Sequence, residues 1–253
     1  MSRIPLNHPV RQLFRGLKEV EPYPAGVEGV PEQIPGTSFF PGGTGLWCEE
    51  TPTVPTLPTE RVMILGHDFH SVAGYKWARE HVVENLRTPT WNNLKNFLER
   101  VPMALNECFF TNAYMGLRQG KGTTGRFPGA SAPEFVRRCQ SFFLRQFVLQ
   151  RPKLILVLGA HVPGFLAPLS AQLSMWRSPG GFRYRDSNAL SLVSSVSFGQ
   201  APHRCVVASL VHPSLRGSNV HRRTWQDFTG DGAELEIVRA AKKLAFGSNG
   251  IDA

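Results

Sequence analysis

The chain has 253 residues, of which 42% are apolar and 19% are charged, so it is long enough and apolar enough to bury a core. Its 28 lysines and arginines against 19 aspartates and glutamates give a formal charge of +9, and such a basic surface attracts polyanions, nucleic acids in particular. No apolar run approaches the ~20 residues of a membrane helix, so we expect no membrane-bound function.

Four cysteines stand far apart in the sequence, at Cys48, Cys108, Cys139 and Cys205, and none forms a C-x-x-C pair. The usual spacings of zinc and iron–sulfur sites are therefore missing, and we expect neither a metal nor a redox cofactor. Cys108 and Cys205 begin apolar runs, which predicts buried thiols suited to a reducing, cytoplasmic compartment. Residues 1–14 contain no apolar core of a signal peptide, so we expect none.

The first part of the chain, residues 1–60, is rich in proline and glycine. Apart from a short helix at about 8–19, this composition indicates irregular, extended chain that wraps a domain. The pattern changes at residue 61, and we expect residues 61–253 to form one α/β domain.

Short apolar runs and amphipathic segments alternate through this domain. Runs that predict buried strands lie at 61–66, 108–114, 153–159 and 204–214. Segments that predict helices lie at 88–100, 131–150 and 232–246, with a short helix within 160–170 and a long loop or lid containing an irregular strand at 171–202. Because strands separated by helices pair in parallel through right-handed crossovers, we expect an α/β fold, a three-layer α/β/α sandwich around roughly four parallel strands.

Polar side chains are concentrated where the predicted strands end. Asp68, between His67 and His70, follows the first strand, Asn112 ends the second, and His212 ends the fourth. Ligands bind at the carboxyl ends of the strands in open parallel sheets. A carboxylate, an amide and a histidine that meet there can orient a water, read the edge of a base and stabilise an anion.

These segments, in this order, resemble the motifs of the uracil-DNA glycosylase superfamily. Gly66-His67-Asp68-Phe69-His70 resembles the family's first loop, and Phe110-Thr111-Asn112 resembles the strand end that recognises the base. The run ILVLGAHVPGFL resembles the third strand and its loop, and His212-Pro213-Ser214 resembles the last motif. The resemblance spans about residues 61–220.

The resemblance implies a DNA glycosylase that hydrolyses the N-glycosidic bond of uracil or another deaminated base in base-excision repair. The enzyme would first flip the nucleotide out of the stack. Asp68 would position the attacking water and stabilise the sugar cation, and His212 would stabilise the charge that develops on the base. Asn112 would bind the base edge, and the other base-binding residues would be Gly66, His67, Phe69 and His70.

DNA, single- or double-stranded, is the implied partner, bound by a monomer without a cofactor. Ser214 would hold phosphates, and Leu215 or Arg216 would fill the gap that the flipped base leaves. Three basic residues of a Gly-rich loop at 116–129 would contact the strand backbone: Arg118, Lys121 and Arg126.

The sequence departs from the family pattern after Asp68. The family usually has Pro and Tyr there, and the Tyr blocks C5-methylated bases, whereas Phe69 and His70 fill those places here. The identity of the excised base therefore stays open. The family also stacks an aromatic ring on the flipped base, and the candidates are Phe69, Tyr75, Trp77 and Trp91.

Other interpretations stand beside the glycosylase. His67, Asp68 and His70 could ligate a metal, although turn and surface roles are more common for such residues. Residues 120–125 match G-x-G-x-x-G, but they lie well after their strand and no helix follows, so we interpret them as a flexible loop. A non-catalytic nucleic-acid binder of the same fold and an enzyme acting on free nucleotides are the alternative functions.

Overall fold

The structure, a computed structural model, covers most of the chain. It describes residues 9–32, 34, 37–38, 57–120 and 122–247. The expectations for Lys121 and Cys48 lie outside the described residues.

Helices and strands alternate along the described chain. The helices are α1 (Pro9–Gly16), α2 (Val72–His81), α3 (Pro89–Glu99), α4 (Pro133–Gln150), α5 (Val162–Leu166), α6 (Gly181–Ser187), α7 (Arg216–Asn219) and α8 (Gly230–Phe246). The strands are β1 (Val27–Glu28), β2 (Val62–Asp68), β3 (Cys108–Tyr114), β4 (Leu117–Arg118), β5 (Leu154–Leu158), β6 (Leu192–Val196), β7 (Cys205–Leu210), β8 (Thr224–Trp225) and β9 (Phe228–Thr229).

The central sheet has five strands in the order β3-β2-β5-β7-β6. β3, β2, β5 and β7 pair in parallel, which confirms the predicted parallel core of four strands. β6 adds an antiparallel edge, and its register shifts between Val193 and Val196. The irregular strand expected within 171–202 is this edge strand. The fold is therefore mixed α/β with a mostly parallel sheet.

Apolar side chains project from both faces of the sheet, because successive side chains of a strand point to opposite faces. On β2, Met63 and Leu65 join one core cluster, whereas Val62 and Ile64 join the other. The first cluster includes the apolar face of α4, and the second includes residues of α3 and α8. Strands buried on both faces are nearly continuous apolar runs, which is why these runs were visible in the sequence.

The helical spacing of apolar residues within 131–150 predicts one buried face, and this face of α4 is the centre of the first cluster. Its five apolar residues are all buried: Phe135, Cys139, Phe142, Phe143 and Phe147. Proline at the first position begins the helix, and Arg151 in the left-handed region ends it. The expected spacing and the observed burial therefore agree.

The described part of the N-terminal segment packs on α4. Leu13, Leu17 and Val20 are buried in the first cluster. Arg138 of α4 donates to the carbonyl oxygen of Val20 at 2.9 Å, and Arg145 pairs with Glu19 at 2.5 Å. This segment therefore shares the core of the α/β domain.

Several short elements are not visible as sequence patterns. α2 begins at Ser71, whose hydroxyl accepts from the Gly74 amide at 3.2 Å. β1 pairs with β4, and β8 pairs with β9, as two-residue ribbons. Within the described ranges, no helix combines the length and the apolarity that crossing a bilayer requires.

Candidate active site

Parallel pairing brings the predicted polar residues to one edge of the sheet. β2, β5 and β7 are neighbours, so the residues that follow their carboxyl ends lie side by side. Gly66 on β2 is the register partner of Asn112 on β3. Asp68 ends β2, and His212 follows β7 by two residues. Asp68, Asn112 and His212 therefore share one edge.

The carboxylate of Asp68 is buried and fully occupied by donors. Its side chain is only 7% exposed. Arg118 donates to it through Nη2 at 2.8 Å and Nε at 3.2 Å, His67 Nδ1 lies 3.0 Å from Oδ2, and the His70 amide donates to Oδ1 at 3.0 Å. Burial alone would raise the pKa of Asp68, but the hydrogen bonds from His67 and Arg118 outweigh it and lower the pKa. Asp68 is therefore an anion at neutral pH.

Arg118 holds this carboxylate from a buried position. Its side chain is 6% exposed, and Nη1 and Nη2 also donate to the carbonyl oxygens of Thr124, Gly125 and Arg126 at 2.8–3.3 Å. Its donors are thus used inside the protein and are not available to a DNA phosphate. This corrects the expected backbone contact for Arg118.

The same contacts explain the Gly-rich loop. A phosphate-binding loop directs backbone N–H groups at its anion, whereas this loop directs carbonyl oxygens at the guanidinium of Arg118. Gly125 has a φ of 79°, which glycine adopts without strain. The segment that matches G-x-G-x-x-G therefore belongs to a loop whose carbonyl oxygens bind the Arg118 guanidinium.

The loop that carries His212 holds the imidazole in one tautomer. The Ser214 amide donates to His212 Nδ1 at 3.3 Å, and the Ser214 hydroxyl lies 2.8 Å from the same atom. Since Nδ1 accepts, the neutral ring carries its proton on Nε2. Burial lowers the pKa of His212 to about 4, with a further lowering by His67 and an opposing effect of Asp68. His212 is thus a neutral donor near the charge of Asp68.

The pKa of His212 predicts a dependence of stability on pH. Because the folded-state pKa is about 4 against an ordinary histidine value of 6.5, the unfolded chain takes up this proton first as the pH falls from 6.5 to 4. The parent should therefore lose up to about 3 kcal/mol of unfolding free energy through His212 in this window. His212→Asn has no such titrating group and does not suffer this loss. Urea unfolding at pH 4 should therefore give His212→Asn an unfolding free energy close to or above that of the parent.

Other histidines do not obscure this comparison. His70, His161 and His203 also have lowered pKa values, caused first by burial, and they titrate in both proteins alike. If the parent and His212→Asn differed in unfolding free energy by the same amount at pH 7 and at pH 4, this would contradict the assigned pKa.

Gly66 makes room for the amide of Asn112. A Cβ atom built on Gly66 would collide with Asn112 Oδ1. Gly159, at the end of β5, similarly lies against His212, where an added Cβ would sit 3.3 Å from the His212 Cβ. Glycine therefore occurs near the carboxyl ends of two neighbouring strands because the Asn112 and His212 side chains approach the backbone there.

Replacing Gly66 by alanine is expected to displace the Asn112 amide. The collision should cost about 1–3 kcal/mol of unfolding free energy and should weaken any binding that depends on Asn112. Gly164→Ala is the matched control, because a Cβ there meets no atom within 4 Å. Thermal unfolding of both variants measures the difference, and equal effects would contradict the close approach.

The His67 ring lies in an aromatic pocket that sequence reasoning missed. It stacks on His161 with 5.1 Å between ring centroids, and it meets Tyr114 edge-on at 5.4 Å and Phe127 at 6.4 Å. His161 is an exposed residue of the loop after β5. Only its place at a strand end could have singled it out in the sequence.

Most of the aromatic rings proposed to stack on a base are in the core. Phe69 is 3% exposed and Tyr75 is 2% exposed. The Tyr75 hydroxyl donates to the Glu32 carbonyl at 3.1 Å. Trp91 is 9% exposed and belongs to the second cluster. This burial corrects the expectation for Phe69 as a base-binding residue, because its ring faces the core.

His70 contributes through its backbone. Its φ is 77°, in the left-handed region, and this turn lets its amide donate to Asp68 while its carbonyl oxygen accepts from the Arg118 amide at 2.8 Å. His70 is an exposed residue at the edge of the site. No group of three side chains suited to a metal occurs in the part of the chain that the structure describes.

The loop after His212 contains an exposed apolar residue, Leu215, and a partly buried arginine, Arg216. Leu215 is 47% exposed. Arg216 is 14% exposed, pairs with Asp231 and with Glu234 at 2.5 Å, and lies over the Phe97 ring at 4.2 Å. Arg216 is thereby held inside the protein, which corrects its proposed place in a DNA gap. Leu215 is the residue of the two that reaches outward.

A buried ion cluster supports the end of β7. The side chains of Arg223, Asp186 and Glu234 are 0% exposed. Arg223 pairs with both carboxylates and donates to the Ser209 carbonyl oxygen at 3.0 Å. Glu234 accepts from the Val211 amide at 2.6 Å. The cluster thus fixes the backbone that immediately precedes His212.

Comparison of the sequence with protein-family models and with curated proteins finds no match.

Proposed function

We propose that this chain is a DNA glycosylase, built on a three-layer α/β/α sandwich, that removes uracil or another deaminated base from DNA. The observation that carries the proposal is that an ionised carboxylate, Asp68, and a neutral imidazole donor, His212, lie at one edge of the sheet, at the carboxyl ends of β2 and β7, which flank β5. The ordered motif resemblance and the charge of +9 support it independently.

The two groups suit the two charges of N-glycosidic cleavage. As the bond to the base breaks, positive charge develops on the sugar and negative charge on the leaving base. The Asp68 anion stabilises the sugar cation. The Nε2–H of His212 donates to an oxygen of the leaving base and stabilises its negative charge. Because both groups are already oriented by hydrogen bonds, little reorganisation is needed during the reaction.

The Asn112 amide supplies recognition of the base. It offers a donor and an acceptor to the Watson–Crick edge of a base that has been flipped out of the duplex. Its position beside Gly66 places it in register with the first loop. Since His70 stands where the family has the Tyr that blocks C5-methylated bases, the oligonucleotide panel described below decides which base is preferred.

Exposed residues around this edge would meet the DNA. Arg126 and Ser214 are exposed, and they would contact backbone phosphates. Leu215 would fill the gap in the duplex. We propose a monomer that binds DNA without a cofactor. Three buried free thiols, Cys108, Cys139 and Cys205, suit the reducing conditions of the cytoplasm.

A panel of oligonucleotides tests the proposal. Single- and double-stranded oligonucleotides carrying uracil, hypoxanthine or xanthine are incubated with the protein and then treated with alkali, which cleaves at abasic sites. We expect cleavage of at least one substrate, with loss of cleavage in His212→Ala. Absence of cleavage at high enzyme concentration would overturn the proposal. If salt-sensitive DNA binding persisted in that case, the protein would be a non-catalytic DNA binder.

A further inference from the structure

The hydrogen bonds of Asp68 raise the question of which group accepts the proton of the attacking water. An ionised carboxylate has about four lone-pair sites. Four donors already occupy them: the His70 amide, Arg118 Nε, Arg118 Nη2 and His67 Nδ1. In this arrangement Asp68 has no site left for a water.

His67 has the acceptor that Asp68 lacks. Because Asp68 is ionised, the 3.0 Å contact with His67 Nδ1 requires the proton to lie on Nδ1. In the neutral ring Nε2 then carries a lone pair. This Nε2 atom is buried and has no hydrogen-bond partner among the residues that the structure describes. A buried polar atom left without a partner is uncommon, and one recurring reason is a catalytic role.

His67 also lies at the same edge of the sheet as Asp68 and His212. Its Nδ1 atom is 3.0 Å from Asp68 Oδ2 at the end of β2, and His212 follows β7 at this edge. The ring stacked on it, that of His161, belongs to an exposed residue of a loop, and access of a water to Nε2 requires this ring to turn away.

We propose that His67 is the general base of the hydrolysis and that Asp68 is the residue that orients it, an inference that rests on the proposed glycosylase function. The water oxygen forms a bond to C1′ of the sugar while the C1′–N bond breaks and its electron pair leaves with the base. The water proton passes to His67 Nε2. The imidazolium that results is stabilised by Asp68 through Nδ1–H, in the manner of a carboxylate–histidine pair.

His67→Ala tests the inference in single-turnover cleavage of the best DNA substrate. Removing a general base should lower the rate by about 10²-fold or more, while the affinity for DNA changes little. His161→Ala is the matched control, because it removes the stacked ring and leaves the contact with Asp68 intact. This control should lower the rate by less than about tenfold.

Rescue by imidazole separates a chemical role from a structural one. Free imidazole should restore a large part of the rate of His67→Ala and should leave the parent rate unchanged. Circular dichroism confirms that the variant is folded. A variant that keeps its rate within about tenfold, or a slow folded variant that imidazole does not rescue, would overturn the inference.

A double variant gives a second measurement. If His67 and Asp68 act as one unit, His67→Ala combined with Asp68→Asn should be no slower than the slower single variant. A double variant whose rate loss equals the product of the two single rate losses would show that the residues act independently. The rescue uses His67→Ala alone, so it decides the question even where Asp68→Asn does not fold. An inactive parent would overturn the proposed function instead, so the two failures are distinct.

Discussion

Arg223→Met is expected to destabilise the protein by about 3–5 kcal/mol or more, enough to abolish the folded state of a marginally stable domain. Arg223 is fully buried, and it pairs with two fully buried carboxylates, Asp186 and Glu234. Methionine fills a similar volume but supplies no charge, so Asp186 would lose its arginine partner inside the protein. Of its two arginine partners, Glu234 would keep only Arg216.

The control for this variant is the preceding residue. Arg222 is exposed, so Arg222→Met should change the unfolding free energy by less than about 1 kcal/mol. Urea unfolding followed by circular dichroism compares the two. If Arg223→Met cost no more than Arg222→Met, the buried cluster would not support the end of β7 as the structure shows.

Arg118→Met is expected to destabilise the protein by about 3–5 kcal/mol at pH 7 and to abolish base excision. It removes the two guanidinium donors from a carboxylate that is 7% exposed. Without them, fewer donors oppose the effect of burial, which is the largest single influence on this group, so the pKa of Asp68 rises. A larger share of Asp68 would then be protonated and unable to stabilise a sugar cation.

The pH dependence of this variant has a definite direction. In the parent, the lowered pKa of Asp68 contributes stability that is present above about pH 4 and is lost as the pH falls further. In Arg118→Met the penalty of the unpaired anion is relieved by protonation. The gap in unfolding free energy between the parent and Arg118→Met should therefore narrow as the pH falls from 7 to 3.

Arg126→Met is the control on the same loop, since Arg126 is exposed. It should leave stability within about 1 kcal/mol while weakening DNA binding. A gap between parent and Arg118→Met that stays constant with pH would show that Arg118 acts through the loop carbonyls and not through Asp68.

The sheet could be predicted from the sequence because burial on both faces leaves an unmistakable apolar run. The strand at 108–114 and the buried face of α4 agree residue for residue with the pattern. Short elements such as α6 and the β8–β9 ribbon have no such pattern. Their order depends on long-range contacts, for example that of Asp186 with Arg223, 37 residues away.

The candidate site could be predicted in part, for a related reason. Strand ends in a parallel sheet converge, so local motifs were enough to bring Asp68, Asn112 and His212 to one edge. The partner of Asp68 could not be foreseen, because Arg118 lies 50 residues along the chain and looks like any basic residue of a loop. Whether an arginine faces DNA or a buried carboxylate is decided by tertiary packing.

Release of a free base is the most direct test of the central claim. The protein, at equal concentration with His212→Ala, is incubated with double-stranded oligonucleotides that carry one deaminated base, and the products are separated by chromatography. The parent is expected to release the free base and leave an intact strand with an abasic site, while His212→Ala should be slower by about 10²–10³-fold. Equal release by both proteins, or release of a nucleotide instead of a base, would contradict it.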